Sequence, residues 1–123
     1  MLASGARPWA VSRLAQIEGE YLVDQIGYEQ DVRDYCEKEK ARLLSNLAKF
    51  SLLRPIDGAT HFMLFQVLAP WTADYVTENL RKNGILIRNC ANFVGLEGEC
   101  IRISLRSSSE NDSLINSLKE LYV

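Results

Sequence analysis

Apolar positions in the first fifty residues recur at helical spacing. Val11, Leu14, Ala15 and Ile17 follow Pro8, which suits a first helical turn because its missing N–H would have no partner there. The pattern pauses around Gly27. From Tyr28 to Phe50, the residues Val32, Tyr35, Cys36, Leu43, Leu47 and Phe50 fall on one broad stripe, which predicts a second, long helix. After Phe50 the period shortens. Residues 52–54 read as a short extended piece, and Pro55, Asp57 and Gly58 supply turn chemistry. His61 to Leu68 is apolar and bounded by turn residues, as a buried strand would be. Thr72 then caps a helix bearing Ala73, Val76 and Leu80, which stops at Arg81, Lys82, Asn83 and Gly84.

Residues 85–88 read as the next strand and 100–106 as another. In the latter, alternation sends Ile101, Ile103 and Leu105 to one face and Cys100, Arg102, Ser104 and Arg106 to the other. Residues 89–99, between these strands, include Gly95 and Gly98 and are too many for a tight hairpin. A last helix starts at Ser108 or Ser109 and carries Leu114, Ile115, Leu118, Leu121 and Tyr122 on one stripe. The order α-α-β-β-α-β-β-α predicts an α+β fold: a mainly antiparallel sheet of three or four strands with helices on one face. Trp9 and Trp71, each near a helix start, read as packing residues.

Composition narrows the function. Apolar residues make up 47% of the 123 residues and charged residues 24%, which argues against disorder. Net charge is −2, so there is no global attraction to nucleic acid or anionic lipid, and any anion site must be built locally. No apolar run approaches a membrane span, and MLASGARPWAVS lacks the apolar stretch of a signal peptide. Cys36, Cys90 and Cys100 form neither an even disulfide set nor a CxxC pair, and reduced cytoplasmic thiols are the simplest reading. His61 reads as structural, and Cys90 has no histidine beside it to activate the thiol. Arg88 and Arg102 flank the 89–99 loop. Their planar donor forks suit carboxylate or phosphate, and together they make a candidate anion clamp. The alternative is that both are solvated or paired with Glu97 and Glu99.

The segments GILIRNCANFVGL, CIRISLR and ENDSLINSLKEL, preceded by PWAVSRLAQ and a long helix, carry a resemblance. The chain resembles the C-terminal small domain of pyridoxal-phosphate-dependent enzymes of the aspartate aminotransferase fold type. Within them it is most similar to the threonine-phosphate decarboxylase branch, a relative of histidinol-phosphate aminotransferases. The Arg-x-Cys-x-Asn-Phe-x-Gly-Leu run from Arg88 to Leu96, and Arg106 closing the last strand, point to that branch. The resemblance implies that Arg102 binds substrate carboxylate and Arg88 substrate phosphate. It implies decarboxylation of O-phospho-L-threonine to 1-aminopropan-2-yl phosphate in cobalamin biosynthesis, with the breaking bond held perpendicular to the cofactor ring. It further implies a cytoplasmic homodimer and a preceding large domain that holds pyridoxal phosphate. None of Lys38, Lys40, Lys49, Lys82 and Lys119 matches the cofactor lysine. Residues 1–50 are therefore expected to be an interdomain helical segment and 51–123 the small domain. The chain alone is expected to bind no cofactor, to be inactive, and to expose Trp9, Val11 and Leu14. A transaminase of the histidinol-phosphate type and a stand-alone α+β anion-binding or interaction module are the alternatives.

Overall fold

A computed structural model describes residues 10–121, so Pro8, Trp9 and Tyr122 lie outside the described residues. The chain divides into two compact units, Met1–Asp34 and Tyr35–Val123.

In the first unit, α1 (Arg13–Val23) begins at Ser12, whose side chain accepts from the Ala15 N–H at 3.2 Å. The helix thus starts after Pro8, because Ser12 supplies a cap. It buries no residue, and Val11, Leu14, Ile17 and Tyr21 are all exposed, as expected for Val11 and Leu14. Gly27, at φ 92°, turns the chain into α2 (Tyr28–Leu47). That helix stops three residues before the expected Phe50, and its stripe is buried only at its C-terminal end. Leu43 and Leu47 are buried, whereas Val32 and Tyr35 are exposed.

The second unit is built on a four-stranded antiparallel sheet of order β1-β2-β4-β3. The strands are β1 (Leu53–Ile56), β2 (Phe62–Val67), β3 (Arg88–Asn89) and β4 (Cys100–Ser104). The pairings Met63↔Ile103 and Phe65↔Ile101 put these four side chains on one buried face, with Val67. Helices α3 (Ala73–Lys82) and α4 (Ser108–Leu121) contribute Val76, Leu80, Leu114, Ile115 and Leu118 to the same core, joined by Leu43 and Leu47 of α2. Trp71 packs on the edge of this core and against Tyr75, with 4.8 Å between ring centroids.

Local signals set the helix ends. Thr72 Oγ1 accepts from the Tyr75 N–H, and Gly84, at φ 76°, closes α3. There the Ile85 N–H reaches Leu80 O and the Gly84 N–H reaches Arg81 O, the paired bonds of a glycine-terminated helix. At α4 the run Ser107-Ser108-Ser109-Glu110 is a capping box. Ser107 Oγ accepts from the Glu110 N–H, and Glu110 Oε2 accepts from the Ser107 N–H.

Three strand expectations need correction. β1 runs to Ile56 rather than stopping at 54, because Pro55 sits on an edge strand where no N–H is required. Only Arg88 and Asn89 pair with β4, so the expected strand over 85–88 is reduced to its end, since the turn closing α3 still directs Ile85. β4 ends at Ser104, and Leu105 is half-buried at the margin of the core rather than within it.

One polar cluster joins α2 to α4. The buried Glu39 carboxylate accepts from Arg42 Nη2 at 2.6 Å and Nε at 3.0 Å, Asn111 Nδ2 at 2.9 Å and Ser108 Oγ at 3.1 Å. Arg42 also pairs with Asp112 at 2.6 Å. Asn111 Nδ2 donates to Arg106 O, which also accepts from the Tyr35 hydroxyl, both at 2.9 Å.

Ile101→Ala should cost about 2–5 kcal/mol in urea unfolding, because a side chain 0% exposed leaves a cavity, while Val94→Ala, at a site 104% exposed, should not measurably change stability. The Arg42 guanidinium, then Asn111 and Ser108, hold the Glu39 carboxyl down from 4.5 to about 2 against the opposing effect of burial. The folded state therefore binds this proton less readily than the unfolded chain. Its contribution is complete above about pH 4.5 and is lost as pH falls toward 2. Glu39→Gln should lower the urea midpoint at neutral pH and flatten its decline in acid.

Candidate functional site

The sheet has a second face, opposite the core. By alternation it carries Phe62, Leu64 and Gln66 of β2, Cys100, Arg102 and Ser104 of β4, and Arg88 of β3. Arg88 and Arg102 are direct cross-strand partners, so their side chains leave the sheet on the same side. The short β3 suffices for this, because the Cys90 N–H to Cys100 O bond of 3.0 Å continues the register beyond the pair.

Two like charges directly opposite each other destabilise a strand pair unless something lies between or beside them. Among the described residues neither arginine makes an ion pair with a carboxylate. Arg88 Nη2 donates to Asn92 Oδ1 at 3.1 Å, and its guanidinium lies 5.7 Å from the Phe93 ring centroid. Arg102 is half-buried, with its guanidinium 4.2 Å from the centroid of Phe62, and its Nε is buried without a hydrogen-bond partner among the described residues. The local acids are not their partners. Glu99 Oε2 accepts from the Ala73 N–H at 2.7 Å and so caps the positive end of α3. Asp74, beside that cap, accepts from Asn89 Nδ2 at 2.6 Å.

A cavity of about 450 Å³ opens on this face. Ile56, Phe62, Leu64, Phe93, Leu96 and Arg102 are among its walls, so it is apolar with one cation. The 89–99 loop forms one side of it. Gly98, at φ 78°, lets that loop approach Gln66, since a Cβ there would meet Gln66 Nε2 at 3.0 Å. Neither a lysine nor a carboxylate lines the cavity. Lys40 instead donates to the carbonyls of Gly58 and Thr60, and Lys49, Lys82 and Lys119 donate to asparagines three residues earlier in the chain. The donor set beside Arg102 therefore does not fit pyridoxal phosphate, which needs an imine-forming amine and an acid for its ring nitrogen.

The sequence reading did not anticipate Phe62, Phe93 and Asn92 as partners of the arginines. Phe62 lies diagonal to Arg102, a relation visible only once β2 and β4 are in register. Asn92 and Phe93 sit within the Arg88–Leu96 run, but their spacing alone gives no direction to their side chains. His61 stands at the entry of β2 with its ring 4.0 Å from that of Phe62.

A family model described as aminotransferase class I and II matches residues 1–118. The chain belongs to that family. It is similar to the histidinol-phosphate aminotransferase of Thermoanaerobacter pseudethanolicus, 34% identical over 116 residues, which cover 94% of this chain and 32% of the relative. It is also similar to the threonine-phosphate decarboxylase of Salmonella typhimurium, 29% identical over 114 residues, covering 93% and 31%. The solved histidinol-phosphate aminotransferase of Clostridium acetobutylicum shares the fold, with a TM-score of 0.81 at 22% identity over 95% of this chain and 35% of that one. The chain spans about a third of the length of the curated relatives it matches. No helix among the described residues is long and apolar enough to cross a membrane.

Cys90 and Cys100 are buried beside the arginines, whereas Cys36 is half-buried. Burial pushes both buried thiols up. At Cys90 the guanidiniums of Arg102 and Arg88 pull the other way without reversing the shift. In the native chain an alkylating reagent should modify Cys36 first, and Cys90 and Cys100 only on unfolding in urea, as mass mapping of the labelled peptides would show.

Proposed function

We propose that this chain is the substrate-arginine-bearing small domain of a pyridoxal-phosphate-dependent threonine-phosphate decarboxylase. The observation that carries the proposal is the Arg88↔Arg102 cross-strand pair, two cations on one face with no carboxylate partner among the described residues. An oxyanion ligand relieves their repulsion and satisfies their donors together. O-phospho-L-threonine presents two such groups. In this assignment Arg102 takes the carboxylate and Arg88 the phosphate, and the chain's own contribution is to bind and orient. The cobalamin pathway, a cytoplasmic location and a homodimeric holoenzyme belong to the same proposal. So does the division into an interdomain segment, 1–50, and a small domain, 51–123. Cofactor-holding groups are assigned to a large domain outside this sequence, which leaves the chain alone inactive.

A histidinol-phosphate aminotransferase is the second reading, supported by the 34% identity to such an enzyme. The two differ in the phosphorylated ligand, because histidinol phosphate carries a phosphate but no carboxylate.

Titration of the 123-residue chain with O-phospho-L-threonine, followed by arginine side-chain NMR, tests the assignment. Half a site should bind with a dissociation constant on the order of millimolar, about −4 kcal/mol. Both arginine side-chain resonances should shift. Arg102→Gln should weaken phosphothreonine by about tenfold and histidinol phosphate far less, and Arg88→Gln should weaken both. Shifts confined to other residues, with Arg88 and Arg102 silent, would sink the proposal. Equal losses for both ligands in Arg102→Gln would overturn the carboxylate role of Arg102, and tighter binding of histidinol phosphate than of phosphothreonine by the native chain would favour the second reading.

A further inference from the structure

The two arginines need something to hold their heads in place before a ligand arrives, since each repels the other across the strand pair. The hydrogen-bond partners of Arg88 include Asn92, but the buried Nε of Arg102 has none. What Arg102 has is a ring. Phe62 lies two residues along β2 from Leu64, the direct partner of Arg102, and on the same face of the sheet. A diagonal neighbour at that separation is within reach of an aromatic and a long side chain. The guanidinium sits 4.2 Å from the Phe62 centroid, well inside the distance at which a ring face attracts a cation. The ring itself has the His61 ring 4.0 Å away, centroid to centroid, and is held by the β2–β4 ladder. An apolar platform uses none of the guanidinium donors. It orients the fork and leaves its N–H groups for the ligand, whereas a carboxylate partner would consume them.

We propose that Phe62 is a positioning residue. Its ring fixes the Arg102 guanidinium at the wall of the cavity, with its donors available to an incoming oxyanion. The proposal rests on the reading of Arg102 as an anion-binding residue and adds the group through which that binding is set.

The test uses the 123-residue chain with O-phospho-L-threonine as the probe and the Arg102 Nε–H resonance as the readout. In the native chain that resonance should carry a ring-current shift and should move on addition of phosphothreonine. Phe62→Leu, which keeps apolar volume but removes the ring, should abolish the ring-current shift and weaken phosphothreonine about three- to tenfold. Phe62→Tyr should bind as the native chain does. Replacing Phe62 with mono-, tri- and pentafluorophenylalanine preserves shape while draining charge from the ring face. Affinity should fall in that order, a gradation that a purely packing role would not produce and that does not depend on Phe62→Leu folding. Unchanged affinity across the fluorinated series, with Arg102 still responding to phosphothreonine, would overturn the positioning role alone. An Arg102 resonance that ignores phosphothreonine in the native chain would overturn the reading beneath it.

Discussion

The pairing of Phe65 with Ile101 and of Met63 with Ile103 commits every other side chain on the two central strands. Once these four face the helices, alternation sends Arg102 and Phe62 to the opposite face, where water or a ligand can reach a guanidinium. A slip of one residue would exchange the two sets. It would place Arg102 among Val76, Leu80 and Leu118, in a core of apolar side chains. Burying an unpaired guanidinium is far costlier than the loss of any single aliphatic contact. The same hydrophobic preference that builds the core therefore also delivers the cation to the site.

A second constraint is polar. Glu39 is among the few buried charged or polar residues, and every partner it has comes from α2 itself or from the first turn of α4. A buried carboxylate is tolerable only when its oxygens are filled, and here Arg42, Asn111 and Ser108 fill them. The cluster continues through Asn111 to the Arg106 carbonyl, just past the end of β4. It thereby ties the C-terminal part of α2, the start of α4 and the exit of β4 to one another. Arg106 itself pairs with Glu110 at 2.9 Å, which leaves it outside the group formed by Arg88 and Arg102.

The site is notable for what the acids nearby do instead. Glu99 lies next to Cys100 in the chain, yet it serves the Ala73 amide at the start of α3. A helix terminus is a strong competitor for a carboxylate because it offers fixed N–H groups at no conformational cost. With Glu99 so engaged, the arginines are supported by aromatic faces and one asparagine. This arrangement keeps charge localised on a protein of small net charge.

Much of this fold was legible in the residues alone. The caps at Thr72 and Gly84, the helix start at Ser108, the alternation over Cys100–Ser104 and the buried stripes of α3 and α4 are local signals. Each acts within one or two turns of chain, where spacing and side-chain chemistry suffice. The placing of Arg88 and Arg102 off the aliphatic face was legible for the same reason. What the residues could not specify were relations between distant segments. The apolar run over 85–87 has the composition of a strand, but only Arg88 and Asn89 reach β4, because the turn that ends α3 has already set the path of Ile85. Val32 matches the stripe of α2 as well as Leu43 does, yet only Leu43 meets a core. The pairing of Arg102 with Phe62, and of Glu39 with Asn111, joins residues 40 and 72 positions apart. Such contacts depend on which register and which helix face minimise buried polar surface over the whole unit, and that is decided only when the tertiary structure forms.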